Sequence, residues 1–250
     1  MSLDLAMRLR EGTQHSHTAA ENTAFMKCFL KGIVEWEPFR KLIADLYFLY
    51  TALEEEIRRH KDHPVVSLIY FPELERQEKL GQDLEFYYGE NWRNEIVASP
   101  EGINYVTRIR EISNNNPALL VAHSYVRYMG DLSGGQSLKN IIRSALTLPQ
   151  DRGTGFYEFE QISTVEARRA FKGKYRDALN SLPIDQALVE QIVDEANNAF
   201  QLNRNVFHEL EDDVKKAVGD HVFDLITRQD KPGSTERKPG NTSVELVAAE

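Results

Sequence analysis

The sequence predicts an all-α protein built as a single-domain bundle of many helices. Three observations predict it. Almost every segment spaces its apolar residues at helical rather than strand intervals. Prolines and small polar residues mark where those segments begin and end. No internal repeat or Gly/Ser-rich linker divides the chain before residue 228, and its 250 residues suffice for one large core.

A first helix is expected over residues 2–24, loosened at Gly12. Pro38 opens a second, with Phe39, Leu42, Ile43, Leu46, Tyr47, Tyr50, Leu53 and Ile57 as its inward stripe. Pro64 and Pro72 bracket a short apolar connector, and a third helix over 73–88 ends at Gly89. Ser99-Pro100 caps a fourth, carrying Ile103, Val106, Ile109 and Ile112. Asn116 and Pro117 start a fifth that runs to Leu146 before Pro149. Residues 151–155 read as loop and 156–159 as an extended piece. Thr164 caps a sixth helix with Phe171, Tyr175 and Leu179 inward, and Pro183 starts the last, which runs through Phe200 and Phe207 to Val214. A polar stretch rich in Pro, Gly, Ser and Thr follows, so 1–227 is read as the domain and 228–250 as a disordered tail.

The net charge of −9 argues against general nucleic-acid binding, which needs basic surface. Cys28 is the one cysteine, which excludes an intramolecular disulfide and a multi-cysteine zinc site. The N-terminus lacks the apolar core of a signal peptide. No apolar run reaches the ~18 residues of a membrane span, and the chain reads as cytoplasmic without a membrane anchor.

The fifth helix contains Gly130, Gly134 and Gly135 in mid-run. Each costs about 1 kcal/mol against alanine, roughly 3 kcal/mol together. Glycine admits close approach to the backbone, and the spacing leaves two occupants open: a neighbouring helix or a flat ligand. His17 and Glu21, at i and i+4 on the first helix, suit a metal-ligating imidazole oriented by a carboxylate. Arg10, two turns earlier, can meet an anionic edge of the same ligand. Lys172 and Arg176 share a face and can clamp carboxylates or phosphates. Arg127 and Asp131, also at i and i+4, form an intrahelical pair or a water-holding group beside the glycines. Taken alone, the His17, Arg10, Lys172 and Arg176 features read more simply as solvated faces, and Arg127 with Asp131 as an ion pair. His15, His60, His63, His123, His208 and His221 have no usable partner spacing and read as structural or exposed. The run GDLSGGQSLK is not a phosphate-binding loop, because no lysine directly follows a glycine and it lies mid-helix.

Five stretches in order carry a resemblance: His17–Met26, Leu53–Ile57, Tyr125–Gln136, Phe171–Arg176 and Ala199–Phe207. Together, and above all in GDLSGGQ, they closely resemble the heme oxygenase family over residues 3–222, in a form similar to the enzymes of cyanobacteria and other bilin-making phototrophs. The resemblance implies heme b as both cofactor and substrate, held between the first helix and a kinked glycine helix. It implies His17 as axial ligand of the heme iron and Glu21 as the residue orienting it. Arg10, Tyr125, Lys172 and Arg176 correspond to propionate-holding positions, with Arg10 standing where some relatives have lysine. Gly130 and Gly134 correspond to the distal glycines; Asp131, Tyr50 and Arg127 to the group ordering distal water; Met26, Phe200 and Phe207 to apolar pocket positions. The implied reaction uses O2 and electrons from a separate donor, ferredoxin in phototrophs, to open heme at the α-meso carbon. Its products are biliverdin IXα, carbon monoxide and ferrous iron, with a bilin reductase downstream. Three rival readings stand beside it: a heme-carrying protein of the same fold, a thiaminase-like hydrolase using Cys28, and a purely structural helical protein.

Overall fold

The computed structural model describes residues 4–235. Among them there is no strand, and the helices are α1 (Leu5–Gly12), α2 (Gln14–Glu21), α3 (Ala24–Leu30), α4 (Trp36–Arg59), α5 (Gln77–Tyr88), α6 (Trp92–Glu95), α7 (Pro100–Asn115), α8 (Leu120–Ser124), α9 (Gly130–Ala145), α10 (Val165–Asn180), α11 (Gln186–Glu209), α12 (Glu211–Val218) and α13 (Asp220–Thr227). None is long and apolar enough to cross a membrane.

Two long helices organise the rest. The stripe on α4 buries Phe39, Ile43, Tyr50 and Leu53 against α5 and α7. On α11, Val189, Ile192, Ala196 and Ala199 are buried where α1, α2, α7 and α8 pack. Polar ties then set the register. The imidazole of His123 on α8 meets Glu195 on α11 at 2.9 Å, and Arg108 on α7 donates to both oxygens of the same carboxylate at 3.1 and 2.6 Å. Those partners hold Glu195 at about 2 against the opposing effect of burial. His123 is therefore a structural histidine, fully buried.

The expected first helix is broken twice. Thr13 turns its hydroxyl back onto Leu9 O at 2.7 Å, an alternative to continuing the helix. Next to it, a Cβ on Gly12 would stand 2.6 Å from Val193 Cγ1, so α1 is pressed against α11 at that point. The second break follows Asn22, where Thr23 starts α3 by accepting the Met26 N–H at 3.4 Å. Arg10 and His17 thus stand on separate helices rather than two turns apart on one. The expected third helix starts later, at Gln77, after a 3-10 turn at Pro72–Leu74. Asp185, not Pro183, caps α11, and the chain bends again at Leu210 and Gly219 to give α12 and α13. Within 156–159, only Glu158 and Phe159 are extended, between 3-10 turns at Gly155–Tyr157 and Glu160–Ile162. Residues 228–235 of the expected tail lie along α2, and 236–250 fall outside the described residues.

Three buried carboxylates join the layers by accepting loop N–H groups. Asp45 takes Ser99, Asp83 takes Gly155 and Phe156 at 2.8 Å each, and Glu54 takes Arg76 and Gln77 at the start of α5. A carboxylate at a helix N-terminus is favoured by the dipole. Burial nevertheless dominates and lifts Glu54 from 4.5 to about 7, and Asp45 and Asp83 to about 6. An acid whose folded pKa is raised contributes stability fully only below its ordinary pKa and loses it as pH rises through the folded value. Glu54→Gln is therefore expected to flatten the fall in stability between pH 4.5 and 7, removing up to roughly 3 kcal/mol of that slope. Denaturant titrations at several pH values check this. Identical slopes in the two proteins contradict it.

Candidate active site

The chain from Pro117 to Ala145 is not one regular helix. A 3-10 turn (Pro117–Leu119) leads into α8, and a π-helical turn at Tyr125–Met129 separates α8 from α9. Such turns inside helices recur at functional sites because they re-aim side chains. The irregularity lies just before Gly130, not at the glycines.

The glycines themselves divide into two kinds. A Cβ on Gly135 would stand 3.2 Å from Tyr157 Cδ1, so Gly135 makes room for a neighbouring aromatic ring. A Cβ on Gly130 or Gly134 would meet nothing within 4 Å. Gly130, Ser133, Gly134 and Ser137 instead form an exposed stripe of small residues. The Tyr157 ring accounts for Gly135, and the other two border open space.

Asp131 lies beside that stripe and is buried. Its carboxylate accepts the hydroxyl of the fully buried Tyr50 on α4. Arg127, from the π-helical turn, donates from Nε to the same hydroxyl at 3.1 Å and from Nη1 to Asn203 Oδ1 on α11 at 2.7 Å. Its Nη2 stands 3.8 Å from Asp131 Oδ1, beyond hydrogen-bond range, which leaves that oxygen available to another donor. Burial raises the Asp131 pKa, and the charge of Arg127, the Tyr50 hydroxyl and the charge of Arg76 pull it back. Burial also pushes the Tyr50 phenol well above its ordinary value, so it remains a neutral donor. Asn203 is a site residue the motif contained but spacing did not single out, because its partner Arg127 comes from another helix.

A second cluster forms where α1 packs on α10. Burial raises the Tyr125 pKa, offset by the positive charges of Arg10 and Arg176 and by the Thr13 hydroxyl. Arg10, Tyr125 and Arg176, from three elements, thus share one electropositive region. Lys172 is buried one turn before Arg176.

On α2, His17 Nδ1 lies 3.7 Å from Glu21 Oε2 and is buried without a hydrogen bond. Phe200 meets the imidazole edge-on at 5.7 Å, and Phe207 stacks on Phe25 at 5.4 Å. Met26 is half-buried on α3, which packs against α9. The donor set suits a flat, largely apolar ligand with a metal centre for the imidazole and anionic groups for the two arginines. Cys28 has the opposite character to a nucleophile: it is fully buried, and burial, with the charge of Glu211, pushes its thiol up.

If the space beside Gly134 is open, Gly134→Ala gains helix propensity without a clash. The ligand-free variant should be more stable by up to about 1 kcal/mol, a rise in Tm of roughly 2–4 °C. Gly135→Ala, which displaces Tyr157, should melt lower. Thermal melts of both decide it, and a lowered Tm in Gly134→Ala contradicts the open face.

The heme oxygenase family model matches residues 3–209. Heme oxygenase 2 of Synechocystis sp. is 60% identical over 235 residues, covering 94% of each chain. Heme oxygenase 1 of Nostoc sp. is 53% identical over 236 residues, covering 94% of this chain and 98% of that one. The crystal structure of Synechocystis heme oxygenase-2 in complex with heme and NO superposes with a TM-score of 0.92 at 60% identity, covering 94% of this chain and 97% of that one. The structure of heme oxygenase from Leptospira interrogans superposes with a TM-score of 0.80 at 45% identity, covering 83% of this chain and 100% of that one. With the family model spanning most of the chain and relatives this similar over their full length, the chain belongs to the heme oxygenase family.

Proposed function

We propose that this protein is a heme oxygenase that cleaves heme to biliverdin IXα, carbon monoxide and ferrous iron, using O2 and external electrons. The observation that carries the reading is the open face over Gly130 and Gly134 beside the buried Asp131–Tyr50–Arg127 network. When bound, heme supplies an iron centre that activates O2 and the α-meso carbon that is oxidised.

The residues of the chain divide the remaining work. His17 would ligate the heme iron through its imidazole, and Glu21, with Oε2 3.7 Å from Nδ1, would orient the ring. Arg10, Arg176, Lys172 and Tyr125 hold the two propionates, which fixes the orientation of the macrocycle and hence which meso edge faces the distal side. Phe200, Phe207 and Met26 supply apolar contact. Gly130 and Gly134 carry no side chain, so a macrocycle seated on their face would meet backbone there and no side-chain acid. Asp131 holds water from its free oxygen and passes a proton through it, rather than delivering one from its own carboxyl. Tyr50, Arg127 and Asn203 keep that carboxylate in place.

A heme carrier of the same fold needs an axial ligand and propionate clamps but not a buried carboxylate network on the opposite face. The chain has no flavin or Fe–S motif, so electrons come from a separate donor. Reduced ferredoxin fits, since its acidic surface complements the basic residues around Lys172 and Arg176. Biliverdin then passes to a bilin reductase in the same compartment, the cytoplasm.

Aerobic turnover of added hemin with reduced ferredoxin should give a bilin spectrum and carbon monoxide. His17→Ala should lose nearly all turnover in buffer and regain part of it with added imidazole. Full activity in that variant without imidazole contradicts the ligand assignment, and an intact heme spectrum after reduction of the wild type contradicts the enzyme reading.

A further inference from the structure

Residues 228–235 leave α13 and return along α2, held by a side chain at nearly every step. Lys27, buried beneath them, donates from Nζ to Thr227 O at 3.1 Å and to Asp230 Oδ1 at 2.6 Å. The Asn22 carboxamide pairs with Lys231 as a peptide group would, donating to its carbonyl and accepting its N–H at 2.8 Å each. Gly233 is buried on α2, where a Cβ would stand 2.9 Å from Thr18 Cβ and 3.2 Å from Thr18 Cα. Backbone at that distance does not give way, so the strap fits only with glycine there. Gln14 Nε2 donates to Thr235 O at 3.0 Å and fixes the far end.

Ser234 sits between these anchors and reaches Glu21. Its N–H donates to Oε2 at 2.8 Å and its hydroxyl to Oε1 at 2.5 Å. Oε2 is the atom that stands 3.7 Å from His17 Nδ1. A carboxylate already taking two donors, one of them on the oxygen facing the imidazole, is a weaker acceptor for the ring N–H. How strongly a carboxylate draws that proton sets the basicity of the other ring nitrogen toward a metal.

We infer that Ser234, carried by the 228–235 strap, is a positioning residue for His17. By holding both oxygens of Glu21, it keeps the carboxylate beside the imidazole while limiting its pull on the ring N–H. The inference rests on His17 being the heme ligand. It makes the proximal side a relay of three residues, His17, Glu21 and Ser234, with the last supplied from more than 200 residues away in the chain.

The test uses the full-length chain, wild type, Ser234→Ala and Gly233→Ala. In the ligand-free protein, hydrogen exchange should show the Lys231 and Ser234 amides protected in the wild type and unprotected in Gly233→Ala, which cannot seat against Thr18. In the ferrous heme complex, resonance Raman should show the iron–histidine stretch at higher frequency in both variants, because the freed Glu21 draws the imidazole proton more strongly. Unprotected amides in the wild type, or a stretch that moves in neither variant, overturn the role of Ser234. Absence of any iron–histidine band in the wild type overturns the ligand assignment, and with it the inference, whether or not the strap is docked.

Discussion

The interaction on which the site depends is the burial of the Asp131 carboxylate against one phenol and one guanidinium. An ionised carboxylate taken from water without compensation costs several kcal/mol. Here Tyr50 donates to one oxygen, and the charge of Arg127 faces the other. Because Arg127 also binds Tyr50 and Asn203, a single network fastens α4, the π-helical turn, α9 and α11 together. The surroundings that keep Asp131 buried therefore also align the glycine face with the bundle.

That constraint explains why the glycines can be where they are. Three mid-helix glycines weaken a helix, and the helix here already departs from α-geometry immediately upstream. Side chains beyond the glycine stretch, not helix propensity, hold this region: Tyr50 and Arg127 on one side, and Tyr157 against Gly135 on the other. What remains at Gly130 and Gly134 is backbone bordering open space, which suits a flat substrate brought within reach of Asp131.

Much of this was legible from residue patterns. Caps at Ser99 and Thr164 act locally and the stripe on α4 acts at helical period, so α7 and α10 begin where those caps put them; Asn116 makes no side-chain cap and precedes only a 3-10 turn, and α4 starts at Trp36, ahead of Pro38. The loosening at Gly12 was legible, but the full break at Thr13 and the second after Asn22 were not, since they come from the pressure of α11 on Gly12 and from hydroxyls that choose between local partners. For the same reason, the reach from Arg10 to His17 along one helix does not hold, although the charge of Arg10 still acts on Tyr125. Helical spacing paired His17 with Glu21 and Arg127 with Asp131. It was silent on Asn203 and Ser234, whose partners are distant in sequence and approach only in the folded chain. Glycine spacing alone did not distinguish a neighbouring helix from a ligand; in the structure the Tyr157 ring packs against Gly135, and open space borders Gly130 and Gly134.

On this reading Asp131 directs the chemistry and does not merely tie helices together. Hemin bound to Asp131→Ala, reduced aerobically and followed by absorbance and carbon monoxide release, tests it most directly. Hemin should bind nearly as in the wild type, with biliverdin formation largely lost in favour of stalled or peroxidase-like products. A normal biliverdin yield from that variant contradicts it.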